Sequence, residues 1–283
     1  MRGKRNYEEK NRKFYDEAFA EVFSNRKIIE SLLRDFIDEP WVYDIDFDSM
    51  TIERSVFKDA HRPKRESDML ISFRTRRGCY EAERFSIFVL LEFQSSVEPM
   101  LLRLLEYIVR IYRRQLKKRG KMVIDLLSPV IPLVIYNGKG RWLEPRQFVS
   151  LFPERVRAIS SLLPYIPDFR YILIDEHDFS DAFLRELKDA AAYFFLLDKT
   201  DIRRREEAVQ RILTILYELK SREPEVFELL GRYITGYLSY RGVESREITE
   251  YITERGRPML LQSMDEMYEQ AKKEGLEKGI REG

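Results

Sequence analysis

The chain has 283 residues, enough for one large domain or for a domain with a helical appendage. Its 50 lysines and arginines nearly balance 49 aspartates and glutamates, so net charge exerts no overall pull toward nucleic acid and any basic surface must be local. One cysteine, Cys79, excludes a disulfide framework and a cysteine zinc site within the chain, and two histidines, His61 and His177, argue against histidine-rich metal or acid-base chemistry.

The N-terminus is charged and has no apolar leader core, and no apolar run is long enough to span a bilayer. A reducing cytoplasm is the expected setting, with no membrane partner. From Phe14 the apolar spacing is helical, through Ala18, Phe19, Val22 and Phe23. Ser24-Asn25 breaks it. Ile28, Ile29, Leu32, Leu33 and Phe36 then mark a second helix, ended by Asp38-Glu39-Pro40. Asp16, Glu17 and Glu21 on the first helix read as a solvated face, or as the source of one acid for a site elsewhere. Val42 to Phe47 and Met50 to Glu53 alternate and fit a half-buried strand or two.

Two short apolar strands follow, Arg65-Glu66-Ser67-Asp68-Met69-Leu70-Ile71-Ser72 and Ser86-Ile87-Phe88-Val89-Leu90-Leu91-Glu92-Phe93-Gln94-Ser95. A polar, arginine-rich turn centred on Gly78 joins them, which predicts a hairpin. Each strand carries an acid foreign to an apolar core, Asp68 in the first and Glu92 in the second. Strand side chains alternate, so Glu92 and Gln94 share a face and Phe93 points the other way. With Asp68 on the same face, two carboxylates and an amide would converge at one sheet edge. A carboxylate there must be compensated. Arg65, Arg74, Arg76 or Arg77 could do so as ion-pair partners. A hard divalent cation is the alternative, since Mg²⁺ takes one or two carboxylates and leaves its other positions to water and phosphate.

Ser96 is a candidate N-cap for a helix running to about Arg119, with a core stripe of Leu101, Leu104, Leu105, Ile108, Ile111 and Tyr112. Arg103, Arg110, Arg113, Arg114, Lys117, Lys118, Arg119 and then Lys121 make its distal half basic. That half reads either as a solvated helix C-terminus, which suits the dipole, or as a phosphate-contacting surface. Pro129 to Tyr136 is a fully apolar run and predicts a buried strand, closed by the loop Asn137-Gly138-Lys139-Gly140. A short helix and a proline-punctuated loop fill 145–167, and Phe169 to Asp175 is a further strand. Beyond Asp178 the pattern is helical. Phe183 to Leu197 reads as one helix and Ala208 to Leu219 as the next, with shorter ones after it. The tail from Met264 has glycines at four-residue spacing among charges, a marginal helix with an oligomer contact as its expected use.

The order of an acidic helix, Asp68 at a strand start, Glu92-Phe93-Gln94, a helix and an apolar strand resembles the PD-(D/E)XK nuclease plan. Several segments more narrowly resemble the recombination-promoting nuclease family, also called the putative transposase family. They are Arg65 to Leu70, Leu90 to Ser96, Leu104 to Tyr112, and Pro132 to Gly138 with Trp142 and Pro145. Tyr15-Asp16 before Phe19 and Phe23 is similar to that family's first helix, where His-Asp is usual. The likeness covers about residues 12–197 and the glycine-spaced tail.

The resemblance implies an α/β fold, a mixed sheet flanked by helices in a restriction-endonuclease-like core over 1–177, with a helical C-terminal region over 178–283. It implies a DNA endonuclease linked to recombination or mobile elements. Asp68, Glu92 and the backbone carbonyl of Phe93 would hold Mg²⁺ or Mn²⁺, with Gln94 and Asp16 completing the catalytic set. Arg110, Arg113, Arg114, Lys117, Lys118 and Lys121 would hold DNA. Gln94 stands where the wider superfamily has lysine, and a neutral amide can only hydrogen-bond. The rival expectations are a nuclease fold that has lost catalysis and binds DNA or oligomerises through its C-terminal helices, and a transposase proper that adds strand transfer. Against the last, no separate site-specific DNA-binding domain and no third well-placed acid late in the chain stand out.

Overall fold

The apolar runs pair into one sheet of five strands in sequential order. They are β1 (Ile45–Arg54), β2 (Met69–Thr75), β3 (Ser86–Gln94), β4 (Val130–Tyr136) and β5 (Ile172–Asp175). This computed structural model describes residues 19–54, 69–76, 86–94, 97, 99–118, 127–138, 140–240, 246 and 248–249. The chain divides into two compact units, Met1–Lys199 and Thr200–Gly283. No helix among the described residues is long and apolar enough to cross a membrane.

β1, β2 and β3 are antiparallel neighbours, while β3, β4 and β5 run parallel. The sheet is therefore mixed, flanked by helices, and the fold is α/β. The hairpin expected around Gly78 is present as the β2–β3 pair, and its turn lies outside the described residues. The strand or two expected between Val42 and Glu53 is the single strand β1, with a register irregularity between Asp46 and Thr51. A parallel step needs a crossover, and the helix after β3 supplies it.

Helical residues 19–22 end in a turn at Ser24, and Asn25 caps α1 (Arg26–Phe36) by accepting from the amides of Lys27 and Ile28. The crossover helix is α2 (Met100–Lys118), and α3 (Glu154–Arg157) is a single turn in the long loop before β5. The run expected as one helix over Phe183 to Leu197 is two, α4 (Asp181–Leu187) and α5 (Ala190–Asp198). The break has a backbone cause. Lys188 adopts a left-handed conformation at φ 56°, and Asp189 caps the new helix at the Ala192 amide. α5 is buried along Ala190 to Leu197, the all-round apolar helix of a protein interior.

The two faces of the sheet differ in cover. α2 lays Leu101, Leu104 and Ile111 against Leu70, Leu90, Val134 and Tyr136. The opposite face is aromatic: Phe93 packs on Phe19 and Phe23 at 4.8 and 4.7 Å between ring centroids. Phe194 of α5 meets both of those rings edge-on. In the second unit, α6 (Arg205–Arg222) and α7 (Pro224–Tyr240) pack on each other, with Ile212, Leu216 and Leu219 buried on the first and Phe227, Leu230 and Ile234 on the second.

Candidate functional site

The last residues of β3 carry the polar groups. Alternation sends Phe88, Leu90, Glu92 and Gln94 to the α2 face and Phe93 to the aromatic face. Glu92 and Gln94 are 0% and 2% exposed, so their polar atoms must be met inside the protein. Arg103, 8% exposed in the first turns of α2, places Nη2 2.8 Å from Glu92 Oε2. The Gln94 amide also addresses Oε2, at 3.4 Å. Arg103 is fixed in turn by Tyr107, whose hydroxyl accepts from Nε at 3.1 Å and whose ring lies 5.4 Å from the guanidinium. The ion-pair partners expected for the acid, Arg65, Arg74, Arg76 or Arg77, are thus corrected for Glu92 to Arg103. Arg76 is used elsewhere, donating from Nε to the Ile45 carbonyl at 2.8 Å.

The backbone beside this pair is directional. The Phe88 amide donates to Pro129 and the Gln94 carbonyl accepts from Asn137, so the even residues of β3 bond to β4. The Phe93 carbonyl therefore points toward the β2 side. On that side the last described pair is Met69 with Leu91. Asp68, Asp16 and Lys121 lie outside the described residues.

Along α2, residues 103, 107, 110, 114 and 117 recur at helical spacing and form one stripe. Arg110 and Arg114 are half-buried and Arg113 is exposed. Lys117 and Lys118 fall in the last turn of the helix, and their side chains lie outside the description. The stripe starts at the buried carboxylate and runs outward by roughly 20 Å at 1.5 Å per residue.

A second polar group stands at the same sheet level, and sequence spacing missed it. Gln94 pairs in register with Tyr136, and Tyr136 with Asp175. Asp175 is 3% exposed and accepts three hydrogen bonds: from the Trp142 amide at 3.1 Å, the His177 amide at 3.0 Å and the His177 ring Nδ1 at 2.7 Å. Burial opposes its charge, but the bonds from His177 and Trp142 outweigh burial and hold the carboxyl below its usual range. Burial first, and then the Asp175 charge, push the Tyr136 phenol up. Gly138 makes room for that ring, since a Cβ there would fall 2.4 Å from Tyr136 Cε2. The available signal was an Asp-x-His directly ending an apolar strand.

Asn137 also reaches across to α5, donating from Nδ2 to Asp198 Oδ2 at 2.8 Å. The Glu176 carboxyl is pushed well up by burial and then by the charge of Asp198. An open groove of about 400 Å³ at β1 is lined by Arg26, Arg34, Arg76, Glu30, Asp46 and Asp48 with Phe47. Its cations are already engaged: Arg26 by Asp48, Arg34 by Glu30 and the Phe47 ring, and Arg76 by Ile45.

The family model described as "Putative transposase, YhgA-like" matches residues 13–226, more than half of the chain. The chain belongs to the YhgA-like family. No curated protein and no solved structure matches it. The matched region of this YhgA-like chain contains the whole sheet, both polar groups and the basic stripe of α2.

Proposed function

We propose that this YhgA-like protein is a metal-dependent DNA endonuclease of the PD-(D/E)XK type, serving recombination or a mobile element. The observation that carries the reading is the end of β3, where the polar Glu92 and Gln94 are buried just past the last described β2 pair. Met69, which follows Asp68 in the chain, stands opposite Leu91, which precedes Glu92. The donor set is all hard oxygen: the Glu92 carboxylate, the Phe93 carbonyl on the β2 side, and Asp68. Such a set fits Mg²⁺ or Mn²⁺ rather than a soft metal. An ion there would acidify a water and offset charge on a phosphodiester oxygen.

The chain's own residues have separate duties. Arg103 and Gln94 orient the Glu92 carboxylate. Arg110, Arg113, Arg114, Lys117, Lys118 and Lys121 hold the DNA backbone. Asp16 is assigned as the further acid of the catalytic set. The family's name supports a DNA-processing role. Plasmid nicking with Mg²⁺ or Mn²⁺ is the test. Wild type nicks, and Asp68→Ala and Glu92→Ala each lose the activity while DNA binding remains. Nicking by Glu92→Ala at the wild-type rate would sink the assignment.

The Arg103 pair favours one second reading, a nuclease fold without catalysis that binds DNA. A guanidinium 2.8 Å from Oε2 already compensates the buried charge. That reading expects salt-sensitive DNA binding, indifferent to metal, that survives Glu92→Ala.

A further inference from the structure

We propose that the Asp175–His177 pair is the proton acceptor for DNA hydrolysis, supplying at the end of β5 what Gln94 cannot. The inference rests on the hydrolytic reading above and extends it to a residue pair two strands away. Its basis is a shortage of basic groups at the β3 end among the described residues. An amide cannot take a proton at neutral pH, and the Glu92 carboxylate is tied to Arg103. The imidazole is different. Asp175 is fixed by the Trp142 and His177 amides and receives the ring Nδ1 at 2.7 Å, a bond that orients the ring and selects the tautomer whose Nε2 lone pair is available. His177 is exposed, and its Nε2 has no partner among the described residues. This is the orienting-acid, imidazole-base arrangement, recognised by geometry rather than by sequence position.

Placement adds a second argument. Gln94, Tyr136 and Asp175 lie in one row at the carboxyl ends of the parallel strands, where open α/β sheets bind ligands. β3 and β5 are roughly 9–10 Å apart at the usual strand spacing. The His177 ring centroid lies 6.1 Å from that of Tyr136, which stands on the strand between them. Among the described residues, Asp175 from β5 and Tyr136 from β4 are the titratable groups in contact with the imidazole, and the next residue, Asp178, pairs with Arg141.

In the step, Nε2 takes one proton from the attacking water as the water oxygen bonds to phosphorus. The bond from phosphorus to the departing sugar oxygen breaks, and its electron pair leaves on that oxygen. Solvent protonates the sugar oxygen, and the imidazolium returns its proton to solvent. One water is consumed and the imidazole is regenerated.

The test uses the full chain with His177→Gln and His177→Gly. Nicking is followed from pH 5.5 to 8.5 with Mn²⁺, with calorimetric titration of Mn²⁺ and duplex affinity measured in parallel. The expected result is a fall in kcat of about 10²- to 10⁴-fold in His177→Gln, with duplex and metal affinities unchanged. The acidic limb of the pH profile disappears, and added imidazole restores part of the rate in His177→Gly. Wild-type nicking with a silent His177→Gln overturns this inference alone, as does a slower variant that keeps its pH profile and ignores imidazole. A wild type that nicks nothing with Mg²⁺ or Mn²⁺ overturns this inference and the hydrolytic reading together.

Discussion

On one side of β3, Phe93 lies among the rings of Phe19 and Phe23, with Phe194 edge-on to both. On the other side, one residue earlier, Glu92 faces a guanidinium, an amide and the wall of α2. The same strand thus serves two kinds of packing. Aromatic contacts are broad, individually weak and tolerant of small rotations. The charged side is intolerant, because a buried carboxylate that loses its partner keeps its desolvation cost. The ring side fixes the strand, and so sets the frame in which the polar side can be held in one geometry.

The largest expected effect comes from emptying the ring side. Phe194 is fully buried, so Phe194→Ala should cost about 3–5 kcal/mol, read as a lower urea midpoint at unchanged slope. A loss under about 1 kcal/mol would mean that the rings are not the frame. Next in size is the ion pair. Arg103→Met strands Glu92 and should cost about 3 kcal/mol, whereas Glu92→Leu with Arg103→Met should return to within about 1 kcal/mol of wild type. The cycle sharpens the contrast because no such rescue exists for a cavity. Mn²⁺ should recover part of the single-variant loss if the cation reading is right, since an ion can replace the guanidinium as the compensating charge.

The sheet was largely legible in the sequence because its strands are dense apolar runs bounded by turn residues. β2, β3 and β4 follow directly from Met69-Leu70-Ile71, Phe88 to Leu91 and Val130 to Tyr136. That Glu92 and Gln94 share a face also followed, since strand alternation is strict. The partner of Glu92 did not. Arg103 belongs by composition to a basic helix face, and its inward turn depends on where α2 starts and crosses the sheet, which no local pattern encodes. Asp175 and His177 were passed over for a related reason. A pair two residues apart looks like loop chemistry until β5 is seen in register with β4. The split of α4 from α5 at Lys188 escaped because lysine rarely adopts a left-handed conformation and carries no break signal.

The smallest effect tests what delivers the ring side. α5 carries Phe194, and its first turn depends on Asp189, which accepts from the Ala192 amide while lying beside Asp35 of α1. Burial, and then the Asp189 charge, push the Asp35 carboxyl up to about 6 from 3.8. The Asp189 carboxyl is itself raised, chiefly by burial. Because the folded value lies above the unfolded one, the stability linked to Asp35 is fully present below about pH 3.8 and is lost as pH rises through about 6. At pH 8 Asp35 is charged and the Asp189 charge opposes it across the α1–α5 contact. Asp35→Asn keeps a hydrogen-bond donor and removes that charge. It should stabilise the protein at pH 8 by about 1 kcal/mol at most, because the Asp35 side chain is exposed and solvent screens it. The advantage should shrink to nothing near pH 4. Urea unfolding of both proteins at pH 4, 6 and 8 reads the difference directly. A gain that is flat across pH would assign it to packing, whereas a gain that grows between pH 5 and 7 would show that the start of α5 is tuned by one shared proton.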